Sequence, residues 1–441
     1  MKAKNTLLCI TLAVATGSAC RDSSNGSAPT STPVSSFDSG LARDWFGQLV
    51  TAIDTENLNP PEASRRIGYA GVAFYEALVG GMPGHNSLGG QLNDLGSLPA
   101  PPAGLISWPA AANAAVSQVL AAVFATASAP TLQAFADLEA QIEADLATTV
   151  DAATLDRSIQ HGQAIAMAIT DWIAGDEYAQ WNDCAFTPPV GEGLWEPTPP
   201  AFVPNPLEPC WGNLRPFALL FSAECAPLSH PPFSKSAGSA FANEAQEVYD
   251  VGNNLTPEQM DIALFWADGG GTLTPPGHWV SITNQVLAQE DLALDVAAEA
   301  YARVGIAVAD AFIACWEIKF HFNLLRPVTY IQDPAGPIAD AGWTSSIGTP
   351  PFAEYTSGHS TQSGAASLVL RDLLGDVPFT DHTHDGAGLA ARSFDSFTEA
   401  ADEAAISRLY GGIHFRAAIE RGIEQGECIG RVILDNVQFR D

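Results

Sequence analysis

The sequence between residues 290 and 327 reads EDLALDVAAEAYARVGIAVADAFIACWEIKFHFNLLRP, and this stretch decides the class of fold. Apolar residues recur at helical spacing from about residue 290 to 325, which predicts one long helix. Pro327 disfavours helix at Arg326, so we expect the helix to end there. Lys319 and Arg326 lie nearly two turns apart and are expected on one helix face. The stretch therefore predicts a helical fold in which two cations point into one pocket near a helix end.

The same helical spacing continues on both sides of this stretch. It recurs in 41–53, 62–79, 108–126, 131–148, 152–174, 236–251, 257–267, 276–288, 359–374, 395–410 and 414–436. The Pro- and Trp-rich residues 183–233, and residues 326–356, lack this spacing and are predicted to be loops. We predict an all-α fold with two packed helical bundles. One helical domain, 38–441, would hold a first bundle at about 41–175 and an active-site bundle at about 236–437.

The charge of the chain excludes two classes of partner. The sequence has 50 acidic and 19 basic residues, which gives a formal net charge of −31. Such a chain is not expected to bind nucleic acid or an anionic membrane surface. No apolar run after residue 20 reaches the length that spans a membrane. Lysine occurs only at positions 2, 4, 235 and 319, so Lys319 on an apolar helix is a candidate for function.

The first residues predict export from the cytoplasm. Residues 1–19 have a charged start and an apolar stretch, as in a signal peptide of the lipoprotein type. Gly17-Ser18-Ala19-Cys20 resembles a lipobox, in which Cys20 would carry the lipid; ordinary signal cleavage is the alternative. Residues 20–37 are predicted to be a flexible tether. The protein is expected in the periplasm or cell envelope as a lipoprotein, or otherwise secreted, with no membrane attachment except a lipid on Cys20.

Export permits disulfides among the remaining cysteines. These are Cys184, Cys210, Cys225, Cys315 and Cys428. A pair among the first three is expected because they share the Pro-rich region, and the odd number leaves at least one thiol free. Cys315, in the long apolar helix, is expected to be a buried thiol. The actual pairing stays open.

Three further segments carry side chains suited to chemistry. In Ser357-Gly358-His359 we expect a helix start whose exposed amides bind an anion, with His359 beside it as an acid or base. In 407–414, Gly411 and Gly412 should break the helix so that Arg408 and His414 converge. Asp268, between an aromatic helix and a flexible loop, is predicted to orient one of the arginines.

Each segment also has a plainer interpretation when it is taken alone. Lys319 and Arg326 would be a surface pair of cations, and Ser357-Gly358-His359 would be a simple helix cap. The segment 407–414 would be an interhelical loop, and Asp268 would lie in a C-terminal helix turn. Together, however, a lysine, two arginines, backbone amides and two histidines suit a tetrahedral oxyanion.

With these motifs in this order, the sequence resembles the superfamily of vanadium haloperoxidases and type 2 phosphatidic acid phosphatases. The resemblance covers about residues 260–425. Trp316 and Phe352 are similar to residues that line the halide side in chloroperoxidase-type members, which favours the haloperoxidase branch. There are two departures: Thr356 stands where a proline is usual, and Ala418 stands where many members have an aspartate that orients the final histidine.

The resemblance implies a vanadate cofactor with His414 as the axial vanadium ligand. Its oxygens would be held by Lys319, Arg326, Arg408, Ser357 and Gly358. His359 would assist proton transfer, Lys319 would polarise the peroxide, and His359, Lys319 and His414 would be the catalytic residues. Trp316, Phe352 and Asp268 would form the halide pocket and its surroundings. The implied reaction is oxidation of halide by hydrogen peroxide to hypohalous acid, which then halogenates a small organic substrate.

Two other functions use the same pocket. In an exported acid phosphatase, His414 would be the nucleophile and His359 the acid for the leaving group. In a phosphate- or vanadate-binding lipoprotein, the pocket would only hold the anion. The sequence leaves open the halide preference, the organic substrate and whether the chain forms a homodimer.

Overall fold

The computed structural model describes residues 31–182 and 184–441. The signal peptide, Cys20 and residues 20–30 of the tether lie outside the described residues, so those predictions stand as predictions. For residues 31–37 the flexible tether is wrong, because Val34–Ser36 form a 3-10 turn. Val34 is fully buried, and the Ser31 hydroxyl accepts a hydrogen bond from the Ile106 amide at 2.8 Å.

Five helices form the first bundle. They are α1 (Gly40–Thr55), α2 (Pro60–Leu78), α3 (Trp108–Val123), α4 (Ala129–Leu146) and α5 (Ala152–Ala174). Asn59 caps α2 by accepting from the Glu62 amide, and Asp151 caps α5 by accepting from the Thr154 amide. A short helix, α6 (Tyr178–Trp181), follows. The helical segments predicted for this half are all present, with ends within a few residues of the predicted ones.

The second bundle contains the predicted active-site segments. Its helices are α7 (Ala240–Asn253), α8 (Pro257–Phe265), α9 (Thr274–Gln289), α10 (Leu294–Phe322), α11 (Pro327–Gln332), α12 (Gly358–Leu374), α13 (Phe397–Tyr410) and α14 (Arg416–Asn436). Strands β1 (Phe379–Asp381) and β2 (Arg392–Phe394) pair antiparallel between α12 and α13. Among the described residues, no helix is both long enough and apolar enough to cross a bilayer.

Helix α10 joins the two bundles into one core. It packs on α2 of the first bundle and on α12 of the second. The contact with α2 is close: a Cβ at Gly71 would lie 2.5 Å from the Tyr301 carbonyl oxygen, and one at Gly305 would lie 2.9 Å from that of Ile67. Glycine is therefore required where the two helices cross. A continuous apolar cluster reaches from Val34 to Phe439.

The structure corrects two details near the site. The long helix ends at Phe322 rather than at Arg326, because Asn323 adopts a left-handed conformation with φ 47°. Arg326 is extended and precedes α11, a helix in a stretch predicted to be a loop. The argument that Lys319 and Arg326 share one helix face is therefore wrong. A second difference is the two-stranded sheet, which the helical pattern did not predict.

The irregular segment after α6 is fixed to the bundles by covalent and polar contacts. Disulfides join Cys184 to Cys210 and Cys225 to Cys428. The first confirms a pair in the Pro-rich region, and the second anchors this region to α14. Cys315 is free and buried, as predicted. The Asp310 carboxylate of α10 accepts hydrogen bonds from the amides of residues 217–219 at 2.6–3.0 Å.

Candidate active site

A cavity of about 420 Å³ opens at one end of the second bundle. Gly358, His359, Arg408 and His414, from α12, α13 and the turn before α14, line one part of it. Apolar side chains line much of the rest, among them Phe312, Trp316, Phe352, Ile347 and Ile413, together with the polar residues Asn57, Asn59, Glu62 and Asp268. The cavity therefore combines a polar part, which contains Arg408 and two histidines, with an apolar part.

Arg326 lies beneath His414 and is fully buried. Its Nε donates to the Phe352 carbonyl at 2.8 Å and its Nη1 donates to the Ile413 carbonyl at 2.9 Å. Nη1 also lies 3.2 Å from Nε2 of His414. Nη2 has no hydrogen-bond partner among the described residues. Burial lowers the pKa of Arg326 to about 10, so it stays charged at neutral pH.

Arg408 and His359 form a second pair across the cavity. Arg408 Nη1 lies 3.2 Å from Nε2 of His359, and its Nε donates to the Ser407 hydroxyl at 3.0 Å. Because arginine can only donate, Nε2 of His359 presents a lone pair. Burial, and then the Arg408 charge, hold the pKa of His359 well below its ordinary value. His359 is therefore a neutral base at the cavity wall.

Lys319 is fully buried beside the same pocket. Its Nζ donates to the backbone carbonyls of Ala353, at 3.0 Å, and Glu354, at 2.9 Å, and also to that of Thr356. Burial lowers the pKa of Lys319 to about 8. All three N–H groups are thus in use, so in this structure Lys319 acts on the pocket through its charge rather than by a free hydrogen bond.

Ser357 and Gly358 begin α12 as predicted. The Ser357 hydroxyl accepts from the Ser360 amide at 3.2 Å and from the Ser360 hydroxyl at 2.8 Å. Its own hydrogen remains available to an acceptor in the pocket. Gly358 lies against Trp316, where a Cβ would make ordinary contact at 3.5 Å. The helix start places backbone amides beside the cationic residues, which is the arrangement that binds anions.

The break between α13 and α14 positions His414. Gly412 has φ 74°, so the chain turns sharply after Tyr410 and returns as α14. The predicted convergence is present, since Arg408 and His414 both line the cavity. Burial, followed by the charge of Arg326, keeps the pKa of His414 well below its ordinary value. The imidazole is therefore neutral, as a metal ligand must be.

Glu354 is a site residue that the sequence reasoning missed. Its Oε1 lies 2.8 Å from Nδ1 of His414 and accepts from the Phe415 amide at 2.9 Å. It is fully buried, and burial raises its pKa to about 8 although Arg326 and Lys319 oppose this. The available signal was indirect: Ala418 left the final histidine without its usual carboxylate, and Glu354 lies close to the Ser357 motif.

Asp268 lines the cavity but bonds to histidines rather than to an arginine. Its oxygens lie 2.9 Å from Nδ1 of His278 and 3.1 Å from Nε2 of His384. Nε2 of His278 lies 2.7 Å from Asp381. Burial would lower the pKa of His278, but Asp268 and Asp381 outweigh it and raise this pKa to about 10. Asp268 makes no hydrogen bond to an arginine among the described residues, but burial lowers the pKa of Arg408 and the charge of Asp268 opposes this effect. That it orients an arginine therefore stays a prediction.

These residues are of the types that bind metals, but histidine nitrogens among them are already engaged in hydrogen bonds to carboxylates. Asp268, His278 and His384 offer ligand atoms within 4.8 Å of one another. Both ring nitrogens of His278, however, face carboxylates at hydrogen-bond distance. A protonated imidazole has no lone pair to give to a metal. We therefore interpret the cluster as a buried imidazolium between two carboxylates.

Trp316 and Phe352 pack together at the cavity wall. Their ring centroids lie 5.0 Å apart. Nζ of Lys319 lies 5.7 Å from the Trp316 ring and 5.2 Å from the Phe352 ring, and the guanidinium of Arg326 lies 4.9 Å from the latter. The resemblance assigns both rings to the halide side, and in the structure both line the cavity with Lys319 close to each ring.

Comparisons with known proteins agree with this geometry. The crystal structure of the first bacterial vanadium-dependent iodoperoxidase is similar over 92% of this chain and 98% of that one, with 35% identity and a TM-score of 0.84. The chain belongs to the vanadium-dependent haloperoxidase family. The second helical-bundle domain of vanadium chloroperoxidase (VCPO) matches residues 299–440.

More distant haloperoxidases share less of the sequence. Vanadium chloroperoxidase of Curvularia inaequalis is 28% identical over 229 aligned residues, and the match spans 38% of the length of that relative and 38% of this chain. A holo-type bacterial vanadium-dependent chloroperoxidase is 17% identical with a TM-score of 0.64, covering 86% of this chain and 93% of that one. At this identity, the second likeness shows the fold alone.

Proposed function

We propose that this haloperoxidase-family protein uses vanadate to oxidise halide with hydrogen peroxide and forms hypohalous acid. The observation that carries the proposal is the buried guanidinium of Arg326, whose Nη2 has no partner among the described residues. A buried charged donor without an acceptor is costly, and an oxyanion in the pocket would satisfy it. Relatives named as vanadium-dependent peroxidases support this assignment.

The residues present fit a tetrahedral oxyanion. Arg326 and Arg408 would donate to its oxygens, with the Ser357 hydroxyl and the Gly358 amide as further donors. His414 lines the same cavity, and its Nε2, which now accepts from Arg326, would bind the vanadium. Lys319 would add positive charge from behind, because its hydrogens are held by carbonyls.

Bound vanadate would supply a Lewis acid that activates peroxide oxygen for transfer to halide, so that peroxide, halide and a proton yield hypohalous acid and water. The role of the protein's own residues is to position the reactants and to move protons. His359 is neutral, and Nε2 accepts from Arg408, 3.2 Å away. When Arg408 donates to the oxyanion instead, the Nε2 lone pair would be free to accept a proton from incoming peroxide.

The apolar part of the cavity wall would provide the site for halide. Trp316 and Phe352 would shield a large, weakly hydrated anion from water while Lys319 and Arg326 attract it. Iodide is the most easily oxidised of the three common halides, and an iodoperoxidase is the relative with 35% identity. We therefore propose iodide as the preferred halide, a choice that the sequence left open.

Steady-state assays on vanadate-loaded protein test this function. We expect peroxide-dependent oxidation of iodide, with weaker bromination of a phenol-type indicator, and neither reaction in metal-free protein. Hydrolysis of phosphate esters without halide oxidation would favour the acid phosphatase. Vanadate binding without either reaction would favour the binding lipoprotein.

We also propose that the mature protein is exported and held at the cell envelope by a lipid on Cys20. The Cys184–Cys210 and Cys225–Cys428 disulfides support an oxidising compartment. Labelling of expressing cells with a fatty-acid analogue should modify the wild type but not Cys20→Ser. Equal labelling of the two would contradict the lipid anchor. The homodimer stays a prediction, which light scattering of the purified chain can test.

A further inference from the structure

We infer that Glu354 is the positioning residue of His414, which fixes the proton on Nδ1 and keeps Nε2, now facing Arg326, unprotonated and able to bind the anion. This inference rests on the proposed function only for the identity of the anion. In this chain the carboxyl group behind the final histidine thus comes from the segment before α12, whereas Ala418 of α14 has none.

Both ring nitrogens lead to the same tautomer. Nη1 of Arg326 lies 3.2 Å from Nε2, and because arginine only donates, Nε2 must carry a lone pair. The single proton of neutral His414 therefore belongs on Nδ1. Nδ1 lies 2.8 Å from Oε1 of Glu354, which accepts that proton's hydrogen bond.

Glu354 is itself held rigidly. Its amide donates to the Leu324 carbonyl at 3.0 Å and its carbonyl accepts from Lys319 at 2.9 Å. Its Oε1 also accepts from the Phe415 amide at 2.9 Å. One residue therefore contacts both Lys319 and His414, so their positions relative to each other depend on it. An outer partner of this kind determines the ring orientation and tautomer of a metal-bound histidine.

A structural alternative must be separated from this role. Phe415 precedes α14, so the Glu354 carboxylate also caps the start of that helix. A cap alone would affect the free energy of unfolding but not the protonation of the His414 ring. The test therefore needs a readout of the tautomer as well as of anion affinity.

Two substitutions at Glu354 distinguish the roles. In Glu354→Gln, the amide oxygen can still accept from His414 and Phe415, so the tautomer should persist. Glu354→Met keeps the length of the side chain but offers no acceptor. Glu76→Met is the matched control, because Glu76 is likewise buried and accepts from a backbone amide, that of Leu88, in the first bundle.

Nitrogen-15 NMR of the histidine rings in metal-free protein, with vanadate titration by calorimetry, provides both readouts. The His414 signals are assigned by their loss in His414→Ala. In Glu354→Met, we expect the Nδ1–H form of His414 to be no longer the single tautomer. We also expect vanadate binding to weaken about 10–100-fold. Glu354→Gln and Glu76→Met should stay close to wild type in both.

The inference is overturned if Glu354→Met keeps the Nδ1–H tautomer, whether its vanadate affinity falls or not. It is also overturned if the tautomer changes but vanadate binds as in the wild type. If wild-type protein binds vanadate and oxidises halide while Glu354→Met matches it, the function stands and the inference fails. If wild-type protein binds no vanadate, the function fails, whereas the NMR comparison still decides the tautomer.

Discussion

The hydrogen-bond donors that have no partner in the folded protein determine which ligand the site can bind. Lys319 uses its three N–H groups on backbone carbonyls, while Nη2 of Arg326 has no partner among the described residues. Two neutral histidines, His359 and His414, each face an arginine with a ring nitrogen that must accept. Lys319 and Arg326 are thus held in place by backbone carbonyls, and the two histidines stay unprotonated near them.

Removal of the His414 imidazole, the proposed vanadium ligand, should weaken anion binding strongly. We expect His414→Ala to weaken vanadate affinity by more than the roughly 10–100-fold that loss of an outer partner costs, and to end halide oxidation. Calorimetric titration of metal-free protein measures the affinity. His161→Ala is the control, because His161 is also a buried histidine but belongs to α5. Wild-type affinity in His414→Ala would contradict the assigned role.

Lys319 should matter for both rate and stability. In Lys319→Met the pocket loses a charge and three carbonyls lose their donor, each at a cost of about 1–3 kcal/mol if left unsatisfied. We expect some vanadate binding to remain, most of the turnover to be lost and the free energy of unfolding to fall. Initial rates and denaturant titration measure these effects. Lys235→Met, at the other lysine of the described residues, should leave turnover unchanged.

At the scale of elements, the turn between α13 and α14 brings Arg408 and His414 to the cavity. Gly412 at φ 74° has no room for a side chain, since a Cβ would lie 3.1 Å from the Trp343 ring and 3.2 Å from the Ser345 Cα. The conformation and the packing both require glycine there. The position of His414 therefore depends on this turn as much as on its own contacts.

Alanine at this turn should disturb the site. We expect Gly412→Ala to lose about 1–2 kcal/mol of stability from the left-handed conformation alone, and to weaken vanadate binding because His414 shifts. Gly388→Ala shares a positive φ, 77°, but its Cβ would meet nothing within 4 Å. It should therefore lose stability without a change in affinity. Equal affinities in the two variants would show that the turn does not position His414.

A buried carboxylate on α2 should make stability depend on pH. Burial raises the pKa of Glu76 from 4.5 to about 7, although the Leu88 amide and the Ser87 hydroxyl oppose this. The folded state therefore holds this proton more tightly, and the contribution to stability falls as pH rises from about 4.5 through 7. Glu76→Gln does not titrate; its amide oxygen can still accept from Leu88, and its NH2 group can donate to the Ser87 hydroxyl.

The comparison of Glu76→Gln with wild type isolates this contribution. As pH rises from 4.5 to 8, we expect the free energy of unfolding of the variant to increase relative to that of wild type by on the order of 1–3 kcal/mol. Denaturant unfolding at several pH values measures the difference. A difference between the two proteins that does not change over this range would contradict the raised pKa.

At the scale of the whole molecule, two disulfides fix the irregular segment that follows α6. The Cys225–Cys428 bond connects positions 203 residues apart, and Cys184–Cys210 closes a separation of 26. A longer closed loop restricts the unfolded chain more strongly. The first bond also connects the segment to α14, whereas the second lies within the segment.

Loss of the Cys225–Cys428 disulfide should therefore lower the free energy of unfolding more than loss of Cys184–Cys210. We expect Cys225→Ser/Cys428→Ser to lose about 2–5 kcal/mol of stability and Cys184→Ser/Cys210→Ser to lose less. Thermal or denaturant unfolding of the two double variants gives the comparison. The order of the losses is the test, and a larger loss for the shorter loop would contradict it.

The sequence by itself determined the helical fold, the ends of most helices and the candidate residues of the site. Helical periodicity is local, and so are the signals of Ser357 as a cap and of Gly411 and Gly412 as a break. The resemblance to the family depended on short motifs, and the residues of each motif lie close together in the sequence. The free thiol at Cys315 followed from the odd number of cysteines and an apolar helix.

The tertiary structure alone decided which side chains meet. The Glu354–His414 bond, the Asp268–His278–Asp381 network and the Cys225–Cys428 bond each join positions far apart in the chain, and no local pattern encodes such contacts. The end of α10 at Phe322, rather than at Arg326, was likewise visible only in the structure, where Asn323 adopts the left-handed conformation. Local spacing fixes the type of element, whereas contacts across the core decide which donors stay free for an anion.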